Sequence, residues 1–194
     1  MPSVSSSSAS EPVQPASLGL MSARALLRVV VLTVLAMLAA GCGSSEHNKT
    51  DETFVQQMVP HHQQAVEMAR MVGSHDAGPG VRALAGRIEK AQGPEIEKMD
   101  GWLDDWDVKK GHGAGGHMPG MMDDGDMRAL DELTGSRFDQ FFLSLMIQHH
   151  HGAIDMAKEE LADGANDDAK DLARDIRRSQ TAEIDEMNGL LVGP

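Results

Sequence analysis

The sequence predicts an all-α protein, a four-helix bundle assembled from two duplicated helical hairpins. The first observation behind this is a repeat. The segment Phe54 to Ala69 returns as Phe142 to Ala157 at an offset of 88 residues, and the match continues without a gap through Leu84/Leu172, Ile88/Ile176, Gln92/Gln180, Glu95/Glu183, Met99/Met187 and Leu103/Leu191. The second is composition. The 194 residues include 14 Met and no Tyr, with aromatics at 3%, and an Ala/Met/Leu-rich, Val/Ile-poor chain favours helix over strand. The third is periodicity: each repeat carries apolar residues at helical spacing, and two hairpins with one apolar stripe each can bury those stripes only against each other.

Residues 1–20 are rich in Ser and Pro and carry no pattern, and Met21 offers a second start, so residues 1–20 need not be translated. From Met21 the order is Arg24 and Arg28, the apolar run Val29 to Ala40, then Leu38-Ala39-Ala40-Gly41-Cys42. A basic region, a short apolar core and small residues make an export signal, and the run falls short of the roughly 20 apolar residues that span a bilayer. The stretch resembles a lipobox. Residues 1–41 are therefore expected to be a removed leader and Cys42 a lipidated anchor; an ordinary signal peptide with an incidental Cys is the alternative. Residues 42–50 would form a flexible tether to the outer face of the membrane. One Cys cannot close an internal disulfide or build a thiolate cluster. Removing the leader takes away Arg24, Arg28 and Glu11, which moves the net charge from -13 to -14. Such a charge repels phosphate backbones and excludes a nucleic-acid partner held by counterion release.

The bundle is expected over 51–192. Its first helix runs from about Asp51 to Gly73, and His-Asp-Ala-Gly-Pro-Gly at 75–80 stops it. A second runs from Val81 to Trp106. A short helix over 126–134 precedes a third long helix, capped by Ser136 and ended by Asp163-Gly164. Asn166 caps the last, which reaches Leu191. Pro60 and Pro94 fall inside the first two helices, where each removes an intrahelical hydrogen bond, so kinks or interruptions are expected there.

On a helical wheel centred on Met58, His61 lies at about -60° and His62 at about +40°, flanking the core stripe, while Glu67 points to solvent. Glu95 lies within about 20° of Leu84 and Trp102, in the middle of an apolar face. The duplicate positions are Met146, His149, His150, Glu183 and Met187. A buried carboxylate beside imidazoles must be paired, protonated or bound to a metal. Two readings follow. His and Glu hydrogen-bond each other across each hairpin, or the His pairs with Met58, Met68, Met99, Met146, Met156 and Met187 are metal ligands; methionine alone would be ordinary core filler.

The segment 107–125 between the halves contains Gly-His-Gly-Ala-Gly-Gly-His-Met-Pro-Gly-Met-Met at 111–122. Its glycines predict a mobile linker without a core role. Exposed Met118, Met121 and Met122 beside His112 and His117 would suit Cu(I), which prefers thioether and imidazole. A linker of biased composition is the alternative.

Met-x-Pro-His-His-x-x-Ala-x-x-Met-Ala at 58–69, Met-Pro-Gly-Met-Met at 118–122 and Phe-x-x-x-Met-Ile-x-His-His-x-Gly-Ala-Ile-x-Met-Ala at 142–157 resemble the bacterial domain-of-unknown-function 305 family. The resemblance covers about 50–191 and implies an exported, ferritin-like four-helix bundle; some members are reported as copper-binding proteins linked to resistance. His151 departs from the pair by making a triple His. The expected function is a lipid-anchored envelope protein that captures, buffers or confers resistance to copper, with a metal ion and the membrane as partners and no catalytic residues. The alternative is a structural or partner-binding bundle without metal. A di-iron-type oxidoreductase needs Glu-x-x-His, and Lys98 and Glu186 stand where Glu95 and Glu183 would need His.

Overall fold

The computed structural model describes residues 46–110 and 118–193. These form α1 (Lys49–Met71), α2 (Pro79–Asp105), a short α3 (Asp124–Asp131), α4 (Gly135–Asp163) and α5 (Asp167–Val192), with no strand among the described residues. The expected leader, Cys42, His112 and His117 lie outside them. Among the described residues no helix is long and apolar enough to cross a membrane.

Asn48 starts α1. Its side chain accepts from the Thr50 and Asp51 N–H groups, while Asp51 accepts from the Asn48 N–H at 2.5 Å, a reciprocal cap that satisfies two donors no helical carbonyl can reach. Residues 48–50, expected to be tether, are thus already structured, and His47 stacks on Trp106 at 4.6 Å. Asp51 also accepts from the Ala165 and Asn166 N–H groups at 2.9–3.1 Å, fastening this end of α1 to the α4–α5 turn.

Both α1 and α2 run through Pro60 and Pro94, so the helices are not interrupted there. A proline deletes one backbone bond, but Phe54, Val55, Met58 and Val59 before Pro60, and Ala65, Met68 and Ala69 after it, are buried and hold both sides of the helix in place. Ser136 does not cap α4. The helix begins at Gly135 behind Thr134, which makes no side-chain cap bond; the Gly135 N–H donates instead to the His75 carbonyl at 2.8 Å, so the α1–α2 turn supplies the missing acceptor. Asn166 caps α5 by accepting from the Ala169 N–H at 2.9 Å, as its sequence position suggests.

The most extensive packing is within the pairs α1–α2 and α4–α5, and α1 against α4 joins the two hairpins. Two apolar cores result. One holds Met68, Leu84, Ile88, Phe138, Phe142, Met146, Ile184 and Met187; the other holds Phe54, Met58, Met99, Leu103, Met156, Leu172 and Ile176. Every long helix passes from one core to the other. The residues at the crossing are His61 and His62 on α1, Gln92 on α2, His149 and His150 on α4, and Gln180 on α5, all buried. The duplication exchanges the cores, because Met58 and Met99 lie in the second while their counterparts Met146 and Met187 lie in the first.

Candidate metal centre

The polar layer between the two cores collects the chemistry-bearing side chains. His62 Nε2 lies 2.8 Å from Glu95 Oε2, and His150 Nε2 lies 2.7 Å from Glu183 Oε2. Each bond joins the two helices of one hairpin. Glu95 and Glu183 keep side-chain exposures of 22% and 17%, so the expectation of a carboxylate in the middle of an apolar face is corrected. Each sits at the rim, with its oxygen turned inward to an imidazole and the rest in reach of water, which avoids the desolvation cost of a fully buried charge.

The other two imidazoles meet between hairpins. The His61 and His149 rings have centroids 3.7 Å apart at an interplanar angle of 35°. Both are fully buried. His61 Nε2 lies 3.1 Å from the Pro119 carbonyl. His61 Nδ1 and both nitrogens of His149 have no hydrogen-bond partner among the described residues, and neither do His62 Nδ1, His150 Nδ1 or both side-chain polar atoms of Gln92. Burial, reinforced by repulsion from His62, lowers the His61 pKa to about 3; burial and the neighbouring His61 and His150 push His149 well below its ordinary value. Both rings are therefore neutral at physiological pH, and three of their four nitrogens have no protein partner among the described residues. Buried polar atoms are normally satisfied, so this concentration of orphans marks the layer as chemically unusual.

Residues 118–122 cover this layer. Gln64 donates to the Met122 carbonyl at 2.9 Å and accepts from the Met122 N–H at 2.8 Å. Met122 is 5% exposed and belongs to the first core, which corrects the expectation that it lies exposed in a mobile linker; Met118 and Met121 are half-buried. At Gly152 a Cβ would collide with the Pro119 carbonyl, and Gly120, at φ +77°, would place one 2.8 Å from the His149 carbonyl. Two glycines thus let the backbone of 119–120 lie directly on α4. Position 152 corresponds to Gln64 in the first repeat. That divergence inside an otherwise close match was the available signal that one side of the layer is covered by chain.

Of the candidate residues, Met58, Met68, Met99, Met146, Met156 and Met187 are buried in the two cores flanking the histidines. His151 is exposed and outside the layer. Among the described residues, no three His, Cys, Asp or Glu side chains converge on a point that could hold a metal ion. An ion in the layer would need thioethers, the Gln amides or a shift of the rings.

The family profile described as a domain of unknown function, DUF305, matches residues 51–191. A DUF305 protein of Streptomyces coelicolor described as secreted is similar in structure, with 37% identity and a TM-score of 0.69 over 74% of this chain and 92% of that one. A DUF305 fragment from Deinococcus radiodurans shares 31% identity at a TM-score of 0.69, over 74% and 96% of the two chains. CopM in a Cu(I)-bound form shares 32% identity at a TM-score of 0.64, again over 74% and 96%. Among curated protein sequences, none matches. The profile match over residues 51–191 and the likeness to two DUF305 structures make this chain a member of the DUF305 family.

Proposed function

We propose that this protein is a ferritin-like four-helix bundle of the cell envelope, anchored through a lipid on Cys42, that captures or buffers copper. The observation that carries the reading is the buried His61–His149 pair, which presents neutral imidazole nitrogens without protein partners. Imidazole and thioether are the donor types that suit Cu(I), and the methionines that flank the pair supply the second. CopM, to which the chain is similar, has been crystallised with Cu(I), Cu(II) and silver. The acidic charge of the chain concentrates cations at its surface. Glu95 and Glu183 would fix the ring orientation of His62 and His150, as carboxylates do behind metal-bound histidines. Met118 and Met121 would collect the ion at the edge of the layer, with His112 and His117, outside the described residues, as further donors of the same segment of sequence.

The second reading is a bundle without metal, in which the histidines serve packing. The His62–Glu95 and His150–Glu183 bonds favour it, because each pair closes a hairpin with no ion. Competitive titration of residues 47–194 with Cu(I), Cu(II) and Zn(II) separates the two. Cu(I) affinity should drop at least tenfold in His61→Ala/His149→Ala. Equal, micromolar affinity for all three ions in parent and variant would leave the metal-free bundle as the answer. A loss confined to Met118/Met121/Met122→Leu would put the site in the linker.

A further inference from the structure

In a neutral imidazole one nitrogen donates a hydrogen bond and the other holds a lone pair. Three of the four buried rings have their donor fixed by a partner that can only accept. His61 Nε2 lies 3.1 Å from the Pro119 carbonyl, and His62 Nε2 and His150 Nε2 lie 2.8 and 2.7 Å from the Glu95 and Glu183 carboxylates. Carbonyls and carboxylates offer no proton, which assigns the hydrogen to each of these Nε2 atoms. Their Nδ1 atoms then hold the lone pairs, and all three are buried without a partner among the described residues.

The neighbouring polar groups do not redress this. Both nitrogens of His149 are free, so that ring brings one donor together with one lone pair. Both amide atoms of Gln92 are free as well, a donor group together with an acceptor. Neither removes the excess of acceptors left by His61, His62 and His150. Packing layers normally pair their buried acceptors with donors. A soft cation takes electron pairs from imidazole nitrogens without any further proton.

We infer that the ion is held through Nδ1 of these histidines, and that the Pro119 carbonyl is the positioning group that commits His61 to this form. The inference rests on the copper reading above. Pro119 does for His61 what Glu95 and Glu183 do for their own rings, because an acceptor behind the far nitrogen orients an imidazole and strengthens the other nitrogen as a ligand. The source of the acceptor differs. Glu95 and Glu183 belong to the same hairpins as the rings they hold, whereas Pro119 is brought in by residues 118–122, whose seat depends on Gly120, Gly152 and Gln64. His149, the repeat counterpart of His61, has no such partner among the described residues. The covering segment therefore arms one ring of the facing pair and leaves the other able to turn either nitrogen to the ion. Lifting residues 118–122 would release His61 alone.

Long-range proton–nitrogen correlation NMR of the full chain, with its histidine nitrogens labelled, tests this, because a nitrogen that bears hydrogen and one that holds a lone pair resonate far apart. Without metal, His61, His62 and His150 should each show hydrogen on Nε2 and a bare Nδ1. An equivalent of Ag(I), a diamagnetic soft ion with the ligand preference of Cu(I), should shift the Nδ1 signal of His61 and leave its Nε2 hydrogen in place. Gly152→Leu cannot keep the segment seated, since a Cβ there already collides with the Pro119 carbonyl. In that variant His61 should lose its single form, while His62 and His150 keep theirs and report an intact fold. Hydrogen on Nδ1 of His61 in the parent overturns the inference, and so does an unchanged His61 in the variant. Silver that shifts Nε2 instead overturns it and leaves the copper reading standing; silver that shifts no ring nitrogen overturns both. The parent spectra decide the ligating nitrogen even where the variant folds poorly.

Discussion

The rings of His61 and His149 face each other at 3.7 Å across the two hairpins, and three of their four nitrogens lack a partner among the described residues. Both rings are held neutral by burial. In the unfolded chain each would titrate near 6.5. Between that value and about 3 the unfolded state therefore binds more protons than the folded state, so stability is present above 6.5 and is lost as pH falls. Urea unfolding at pH 7, 6 and 5 should show the loss, at up to about 1.4 kcal/mol per pH unit for each proton taken up. His149→Phe keeps a ring in place and should flatten the acid slope by about one proton. An unchanged slope would mean that His149 is not kept neutral.

Gly152 and Gly86 are both helical, and their substitution by Ala should have opposite signs. Gly86 is exposed with nothing near its missing Cβ, so Gly86→Ala should stabilise by about 0.5–1 kcal/mol through helix propensity. At Gly152 the same methyl meets the Pro119 carbonyl and the Gly120 Cα. Gly152→Ala should cost about 1–3 kcal/mol, the usual range for overpacking, and lift residues 118–122 from α4. Thermal melts give the signs, and proteolytic cleavage within 118–122 reports the lifting. Stabilisation by both substitutions would show that the segment is not seated on Gly152.

Gln64 holds the same segment by its main chain, through two bonds to Met122. Gln64→Ala should expose the Met122 amide to solvent exchange and cost about 1–3 kcal/mol, because a part-buried donor and acceptor lose their partners together. Hydrogen exchange at Met122 that is as slow as in the parent would contradict this.

Much of this architecture was legible in the sequence. The start of α5 at Asn166 follows local chemistry, since an Asn cap acts within one turn, and α4 ends at Asp163 as its sequence suggests. The orientation of His61, His62 and Glu67 followed from periodicity alone. What escaped was decided by distant contacts. The start of α4 is satisfied by the His75 carbonyl, and the docking of Met122 depends on Gln64, Pro119 and Gly152 meeting in space. No window of sequence contains both sides of either contact. The continuity of α1 through Pro60 is of the same kind, because propensity is overridden by burial on both sides of the proline.

Glu160 gives the opposite pH dependence from the histidines. It is fully buried on α4 beside Asp51, and a Cβ at Gly164 would collide with its carboxyl. Burial would raise the Asp51 pKa, but the Asn48, Asn166 and Ala165 N–H groups outweigh it and hold that carboxyl below its usual range, so Asp51 stays ionised. Glu160 has no such donors. Burial first, then the adjacent Asp51 carboxylate and its charge, raise its pKa to about 8, with Lys170 opposing. It therefore carries a proton in the folded state, beside the ionised Asp51 at the junction of α1 with the α4–α5 turn. In the unfolded chain it would lose that proton near 4.5. Between about 4.5 and 8 the folded state binds the extra proton, so the contribution is complete below 4.5 and is lost as pH rises through 8. Glu160→Gln keeps the size and shape of the side chain without the titration. The parent should lose stability from pH 6 to pH 8.5 while Glu160→Gln does not, and the gap between them should widen with pH up to about 8. Parallel urea midpoints for the two proteins over that range would show that Glu160 is ionised in the folded state.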